Sequence, residues 1–201
     1  MKIVLKKGFL CLLLWCVVFV GNLAADRAML RRDVVRLHVV GASNGTVDQE
    51  IKLQVRDAVL AHLQGAMTAC TQAAAAKDWI AGHLPQIQAA ANEALAAAGS
   101  GDTATATLQT EEFPRRIYDT FSLPAGVYDA LRITIGAGEG RNWWCVVFPS
   151  LCVPETAAGF HDAAAGAGFS QELTDTLTTD YEVRFLLLDL LGRMENFLHQ
   201  S

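Results

Sequence analysis

The stretch LPAGVYDALRITIGAGEGRNWWCVVFPSLC, residues 123–152, contains the two segments that decide the fold. Residues 127–135 alternate between an apolar face and a wetter face that carries Tyr128 and Arg132, which is typical of a β-strand. Residues 143–148 place no polar side chain on either face, so this second strand is expected to be covered on both sides. We therefore predict a β-sheet with the second strand near its centre.

Three glycines, Gly136, Gly138 and Gly140, lie between the two strands. Glycine lets a backbone approach a phosphate closely, but a dinucleotide-binding loop needs a third glycine three residues after the second and a helix behind it. Arg141 and a strand follow here instead. The pattern therefore predicts a β-hairpin connection and not a nucleotide site.

Two cysteines, Cys145 and Cys152, enclose a short segment at the end of this stretch. In an exported protein this spacing favours a disulfide, to which the chain-entropy estimate assigns about 2.5 kcal/mol. The alternative is a pair of buried free thiols, because free cysteine is often buried.

The composition of the chain limits its class. It has 201 residues, of which 52% are hydrophobic and 18% are charged, with a formal net charge of −5. These values predict one globular domain with a sizeable core. An acidic surface does not suit nucleic acid, so we expect no nucleic-acid partner.

The N-terminus has the plan of a secretory signal peptide, with three lysines before an uncharged apolar run over residues 8–25. We expect residues 1–25 to be a leader that is cut between Ala25 and Asp26. Retention of the apolar run as a membrane anchor is the alternative, because its length is close to the minimum that spans a bilayer. Residues 26–201 are then expected to form a single extracytoplasmic domain.

Two capping boxes, Thr46 with Gln49 and Thr179 with Glu182, mark the starts of two helices. An alanine-rich segment between them is interrupted by Pro85, which predicts two separate helices there. The second capping box opens a C-terminal helix that is apolar around almost its whole circumference, so that helix must pack on the domain or on a partner.

Strand patterns recur at residues 34–40, which are β-branched, and at residues 103–108, where threonine alternates with apolar residues. Residues 155–180 are rich in alanine, glycine and threonine, which predicts a flexible segment. The predicted fold class is α+β: one domain with a small, roughly four-stranded sheet packed by four to five helices, plus the N-terminal hydrophobic leader.

The chain contains no motif of the common hydrolases, such as G-x-S-x-G, H-E-x-x-H or the aspartic protease triplet. Cys145 with His38 or His161 is the one arrangement that would make an exported thiol-dependent hydrolase. The cysteine and histidine spacings do not support a zinc site. We expect no enzyme activity, no cofactor, no metal and no small-molecule substrate.

Two segments carry residues suited to binding. Arg36 and His38 share one strand face, so they either bind an acidic partner group or form a solvated edge. Arg115, Arg116 and Tyr118 follow a proline that favours extended backbone, and exposed arginine and tyrosine are typical of binding hot spots. Ordinary surface residues remain the alternative.

Several strings along the chain carry a family resemblance. The most specific is NWWCV at residues 142–146, with FP at 148–149 and LC at 151–152, and RLHV at 36–39 and FPR at 113–115 precede it in the same order. With these strings the chain resembles the stage II sporulation protein R family, the secreted signalling proteins of endospore-forming bacteria.

The resemblance implies a signalling role. A family member is made in the forespore and secreted into the intermembrane space between forespore and mother cell. There it activates a membrane-embedded aspartic peptidase that processes the pro-form of the sporulation sigma-E factor, which couples forespore to mother-cell gene expression. The protein itself would be the activator and not the protease.

The leading hypothesis is therefore a secreted protease activator whose contact with the membrane is made only through its leader. The alternatives are the exported thiol-dependent hydrolase and an extracytoplasmic wall-binding module. The residues that we expect to contact the peptidase are Arg36, His38, Arg115, Tyr118, Arg132, Asn142, Trp143 and Trp144.

Overall fold

The computed structural model describes residues 2–149, 152, 157–179 and 183–199. Within this part of the chain there are six helices and six strands. The helices are α1 (Lys2–Asp33), α2 (Thr46–Ala69), α3 (Ala73–Ala97), α4 (Ala157–Gly166), α5 (Gln171–Thr178) and α6 (Val183–His199). The strands are β1 (Val35–Val40), β2 (Ala104–Phe113), β3 (Arg116–Ile117), β4 (Ser122–Leu123), β5 (Gly126–Ile135) and β6 (Asn142–Phe148).

Four strands form a mixed sheet in the order β2-β5-β1-β6, and β3 pairs with β4 in a separate two-stranded ribbon. β1 is parallel to β5 and antiparallel to β6, while β2 is antiparallel to β5. The helices and the four-stranded sheet confirm the predicted α+β class, and the apolar N-terminal helix fits the predicted leader.

The predicted hairpin between β5 and β6 was wrong, because β1 lies between these two strands. The glycine loop instead passes over the end of β1, where the Gly140 amide donates to the Gly41 carbonyl at 2.8 Å. A Cβ atom at Gly140 would overlap the carbonyl oxygen of Ser43, so only glycine allows this close crossing.

The predicted central position of β6 was also wrong, since β6 is an edge strand. Its residues from Cys145 to Phe148 are nevertheless buried, because layers of structure cover both faces of the sheet. A strand without polar side chains thus indicates that other elements cover both of its faces. It does not indicate that a hydrogen-bonded strand lies on each side of it.

One face of the sheet packs against α2 and α3 in an apolar layer. The strands contribute alternate residues to it, as the period of a strand requires, and the helices contribute residues at helical spacing. The fully buried members of this layer include Val35, Leu37, Val39, Val55, Val59, Ile80, Ile87, Ala91, Leu131 and Ile133.

The opposite face packs against the end of α1 and against α4, α5 and α6, in a second cluster that includes Leu30, Phe160, Leu173 and Phe185. The prediction of a flexible segment over residues 155–180 is wrong where α4 and α5 form, because both helices bury apolar side chains. Ser170 caps α5 by accepting a hydrogen bond from the Leu173 amide at 3.1 Å.

Two helix predictions also need correction. Gly45 and not Thr46 precedes α2 as its N-cap, and Gln49 donates to the Ser43 carbonyl at 2.7 Å, so the predicted capping box is absent. Pro85 lies inside the continuous helix α3, because residues on both sides of it, Ile80 and Ile87, are fully buried in the same apolar layer and their packing offsets the lost hydrogen bond. Glu182 of the second predicted box lies outside the described residues.

The helix α1 runs without interruption through the predicted cut between Ala25 and Asp26. The part of α1 over residues 6–33 is long and apolar enough to cross a membrane. A signal sequence near the N-terminus meets the same criteria of length and composition. Leu23 and Asp26 are buried against the rest of the fold. The position of the cut remains a prediction.

Candidate functional site

The face of the sheet opposite the apolar layer carries charged and aromatic side chains in mutual contact. The pairing of His38 with Arg132 on one side and with Trp144 on the other places these three residues side by side on that face. The ribbon of β3 and β4 adds side chains from its own segment. We call the group the polar cluster; it consists of Arg36, His38, Glu111, Arg116, Tyr118, Arg132 and Trp144.

Arg36 is fully buried at the centre of the sheet, with an exposed fraction of 0%. Its Nε donates to the Cys145 carbonyl at 3.1 Å and its Nη2 donates to the Tyr118 hydroxyl at 2.8 Å. The guanidinium lies over the rings of Phe113 and Tyr128, 4.3 Å and 5.2 Å from their centroids. The alternative of a solvated edge for this residue was therefore wrong.

Glu111 accepts hydrogen bonds from two neighbouring strands. Its carboxylate oxygens lie 3.0 Å from His38 Nδ1 and 2.9 Å from Arg132 Nη1. Burial disfavours the charged carboxylate, but the hydrogen bonds and charges of His38 and Arg132 outweigh it, so the pKa of Glu111 is lowered. Glu111 is consequently held as an anion between two nitrogen donors.

Trp144 joins the buried part of the polar cluster to its outer part. Its ring stacks on His38 with centroids 5.5 Å apart, and the Arg116 guanidinium lies 3.5 Å from its centroid. Burial lowers the pKa of Arg116. Trp144, Arg116, Tyr118 and the Arg132 side chain are only partly buried, so this side of the polar cluster is accessible to a partner.

Four buried nitrogen atoms of the polar cluster have no hydrogen-bond partner among the described residues. They are Arg36 Nη1, His38 Nε2, Arg116 Nε and Trp144 Nε1. A buried donor without an acceptor lowers stability, since it has lost its bonds to water. Arg36 Nη1, Arg116 Nε and Trp144 Nε1 can only donate, whereas His38 Nε2 accepts when the neutral ring donates through Nδ1 to Glu111.

The structure brings together five of the eight residues that the sequence analysis expects to contact the peptidase. These are Arg36, His38, Tyr118, Arg132 and Trp144.

The other three lie elsewhere. Trp143 is on the opposite face of β6, where the Arg56 guanidinium lies 4.4 Å from its ring centroid. Arg115 is over the ring of Phe185, and Asn142 is exposed at the start of β6. Whether any of the eight residues contacts a partner remains a prediction.

Sequence reasoning missed Glu111, and it noted Arg116 beside Arg115 and Tyr118 without choosing it as a contact residue. Glu111 lies in the β2 segment beyond the predicted alternation, and its partners come from other strands. The register of β2 on β5 pairs Glu111 with Tyr128, which lies on the same face of β5 as Arg132, and the two long side chains meet along that face. The acidic pair Glu111 and Glu112, which follows the strand predicted at residues 103–108, is the one signal that the sequence offers.

The structure joins Cys145 to Cys152 through a disulfide, with their Cα atoms 5.4 Å apart. The Cys145 side chain packs in the apolar layer, whereas His38 lies on the opposite face of the sheet. His161 follows Phe160, which packs in the cluster on that opposite face. The arrangement of thiol and base that the hydrolase alternative needs is therefore not formed between Cys145 and His38.

No group of three or more histidine, cysteine, aspartate or glutamate side chains suited to a metal ion occurs in residues 2–149, 152, 157–179 or 183–199.

The chain matches the family model of stage II sporulation protein R over residues 31–158. It is 34% identical over 125 residues to the stage II sporulation protein R of Bacillus subtilis (strain 168), and this match covers 62% of the chain and 56% of the Bacillus protein. The chain therefore spans little more than half the length of that relative. No solved structure matches the chain. The matched residues include β1, α2, α3, β2, β5 and β6, and on this ground the chain belongs to the stage II sporulation protein R family.

Proposed function

We propose that this protein is an exported sporulation signal that activates a membrane-embedded aspartic peptidase, which then processes the pro-form of the sigma-E factor. Membership of the stage II sporulation protein R family supports the sporulation role. The apolar helix α1 supports export from the forespore into the space that faces the mother cell. The protein is the activator in this scheme, and the peptidase performs the chemistry.

The polar cluster is the surface that we assign to the peptidase. The observation that carries this assignment is that Arg116, Arg132 and Trp144 of the polar cluster are only partly buried, so cationic and aromatic side chains face solvent together. An acidic loop of the peptidase would pair with the partly exposed guanidinium of Arg132 and cover Trp144. Binding that favours the active state of the peptidase shifts its population toward that state.

The proposal is tested by producing the full chain together with the peptidase and the pro-sigma-E substrate in a bacterium that does not form spores. We expect the substrate to be processed only when the chain is present. Immunoblotting for the shortened sigma factor measures the processing. Processing at the same rate without the chain would refute the activator role. Failure of processing with a folded, exported chain would refute it too.

The chain offers a matched control for the contact surface, because each face of β6 carries an arginine over a tryptophan. Arg116 lies over Trp144 in the polar cluster, and Arg56 lies over Trp143 on the other face. Replacing both residues of the first pair by alanine is expected to lower the affinity for the peptidase about thirtyfold, as loss of a hot spot worth about 2 kcal/mol does.

The same double replacement of Arg56 and Trp143 removes an equivalent pair from the other face, and it is expected to leave processing unchanged. Resistance of both exported variants to a protease shows that they are folded. Equal losses of processing in the two variants, or a loss only in the control, would overturn the assignment of the surface.

A further inference from the structure

The helix α6 presents an apolar face to solvent. Its residues at spacings of three and four have exposed fractions of 50% to 71%, whereas Leu188 and Gly192 on the other side of the helix are buried. We call this surface the outer face of α6; it consists of Val183, Leu186, Leu190, Met194 and Leu198. A contiguous apolar surface of this kind marks an interaction site in a natural protein.

Ion pairs fix α6 to the end of α1. Arg184 Nε donates to Asp26 at 3.0 Å, and Glu195 accepts from Arg27 and, at 3.0 Å, from Arg31. These contacts join both ends of α6 to one turn and a half of α1, so α6 lies across α1 at residues 26–31.

Close backbone packing holds α6 in the same place. A Cβ atom at Gly192 would overlap the carbonyl oxygen of Ala125, which precedes β5. The Ala125 amide also donates to the buried carboxylate of Asp189 at 2.9 Å. The outer face of α6 therefore has a fixed direction relative to α1 and the sheet.

The position of α6 along α1 defines its distance from a membrane. The uncharged residues 8–25 of α1 span about 27 Å as a helix, close to the bilayer hydrocarbon thickness of about 30 Å. Leu23 and Asp26 are already buried against the fold, so no linker separates the apolar half of α1 from the domain. When α1 is inserted, Asp26 and Arg27 lie at the bilayer surface, and α6 lies there with them.

We propose that the outer face of α6 lies on the phospholipid surface of the membrane that holds α1. An amphipathic helix parallel to a bilayer buries its apolar face at the boundary between headgroups and acyl chains, as this helix is placed to do. The exposed side chains of Arg31 and Arg32 on α1 are positioned to meet lipid phosphates. This adds a second membrane contact to the leader, and it does not depend on the peptidase.

The experiment measures the depth of α6 in a bilayer. The full chain, with Cys11, Cys16 and Cys70 replaced by alanine, is synthesised in the presence of vesicles of phosphatidylethanolamine and phosphatidylglycerol. A nitroxide is attached at Leu190→Cys, or separately at Met194→Cys, and its collisions with dissolved oxygen and with a water-soluble nickel complex are compared by electron paramagnetic resonance.

The matched control is Val47→Cys, because Val47 is also apolar and 66% exposed. It lies at the start of α2, after β1 has led the chain away from the end of α1. The ratio of oxygen collisions to nickel collisions is expected to be several-fold higher at positions 190 and 194 than at position 47.

Two outcomes overturn the proposal. Equal ratios at positions 190, 194 and 47 would show that the outer face of α6 stays in water, where it is open to a protein partner. Dipolar broadening that disappears on dilution with unlabelled chain would show that a second copy covers the face. Neither outcome bears on activation of the peptidase, since the vesicles contain none.

Discussion

The two faces of the four-stranded sheet differ in what covers them and in what they contain. The face toward α2 and α3 is dry, and its side chains are almost all aliphatic. The opposite face places Arg36, His38 and Glu111 among aromatic rings, and several of its buried donors have no acceptor in the part of the chain that the structure describes. Neighbouring residues of one strand thus belong to two different environments.

The two faces are therefore suited to two different roles, stabilising the fold and binding a partner. Burial of aliphatic side chains stabilises the fold, and this contribution changes little with pH or salt concentration. A buried group of charges is weak evidence for stability, because the cost of removing charges from water can exceed the attraction between them. The polar cluster fits the interpretation that its residues bind a partner and that the apolar layer maintains the fold. Three substitutions test whether the two faces differ in this way.

The largest effect is expected from Leu131→Ala in the apolar layer. Leu131 is fully buried, so its truncation leaves a cavity and lowers the free energy of unfolding by about 2–5 kcal/mol. Urea denaturation followed by circular dichroism measures the change. The control is Arg132→Ala, one residue later on the polar face, where a partly exposed pair with Glu111 predicts a smaller loss. A larger loss for Arg132→Ala would contradict the comparison.

An intermediate effect is expected from Glu111→Gln. The carboxylate makes charge-assisted hydrogen bonds to His38 and Arg132, so we expect a loss of about 1–3 kcal/mol in the free energy of unfolding at pH 7. Because the pKa of Glu111 is lower in the folded state, its contribution is fully present above the ordinary pKa of about 4.3 and is lost as the pH falls through the lower folded value.

The difference between Glu111→Gln and the parent chain should therefore shrink below about pH 4, where the glutamate itself becomes protonated. Urea denaturation at a series of pH values measures this. A difference that stays constant down to pH 3 would mean that packing, and not the charge, accounts for the loss.

The smallest effect on stability is expected from Arg36→Met. Replacing a buried charge by an apolar side chain of similar length is often neutral for folding, so we expect a change of less than about 1.5 kcal/mol. The same substitution removes the hydrogen bond that positions Tyr118, a partly exposed residue of the surface that we assign to the peptidase, so processing of pro-sigma-E should fall. Normal processing combined with a large loss of stability would make Arg36 a structural residue and would exclude it from the contact surface.

The sequence predicts the elements of the fold better than their arrangement. The alternation at residues 127–135 and at residues 103–108 is local, and it correctly predicts β5 and β2. The place of β1 between β5 and β6 depends on pairing between residues about a hundred positions apart, for example Leu37 with Leu131 and with Cys145. A pattern within one strand contains no information about this order.

The polar cluster was predictable only in part for the same reason. Arg36 and His38 attract attention because charged residues interrupt a β-branched run, and Trp144 belongs to a specific string. Glu111 looks like an ordinary surface residue until β2 is paired with β5. The adjacent residues Trp143 and Trp144 separate because successive side chains of a strand point to opposite faces.

The position of β1 also sets the order in which an exported chain can fold. β1 follows α1 directly, so it leaves the membrane first, but both strands that pair with it begin at Gly126 or later. The edges of β1 therefore stay unpaired until most of the chain has crossed. Such non-local pairing makes folding slow, and it exposes a strand that can pair with other chains. An exported chain of this design completes its sheet only after nearly complete translocation, so an interrupted export releases no fragment in which β1 is paired.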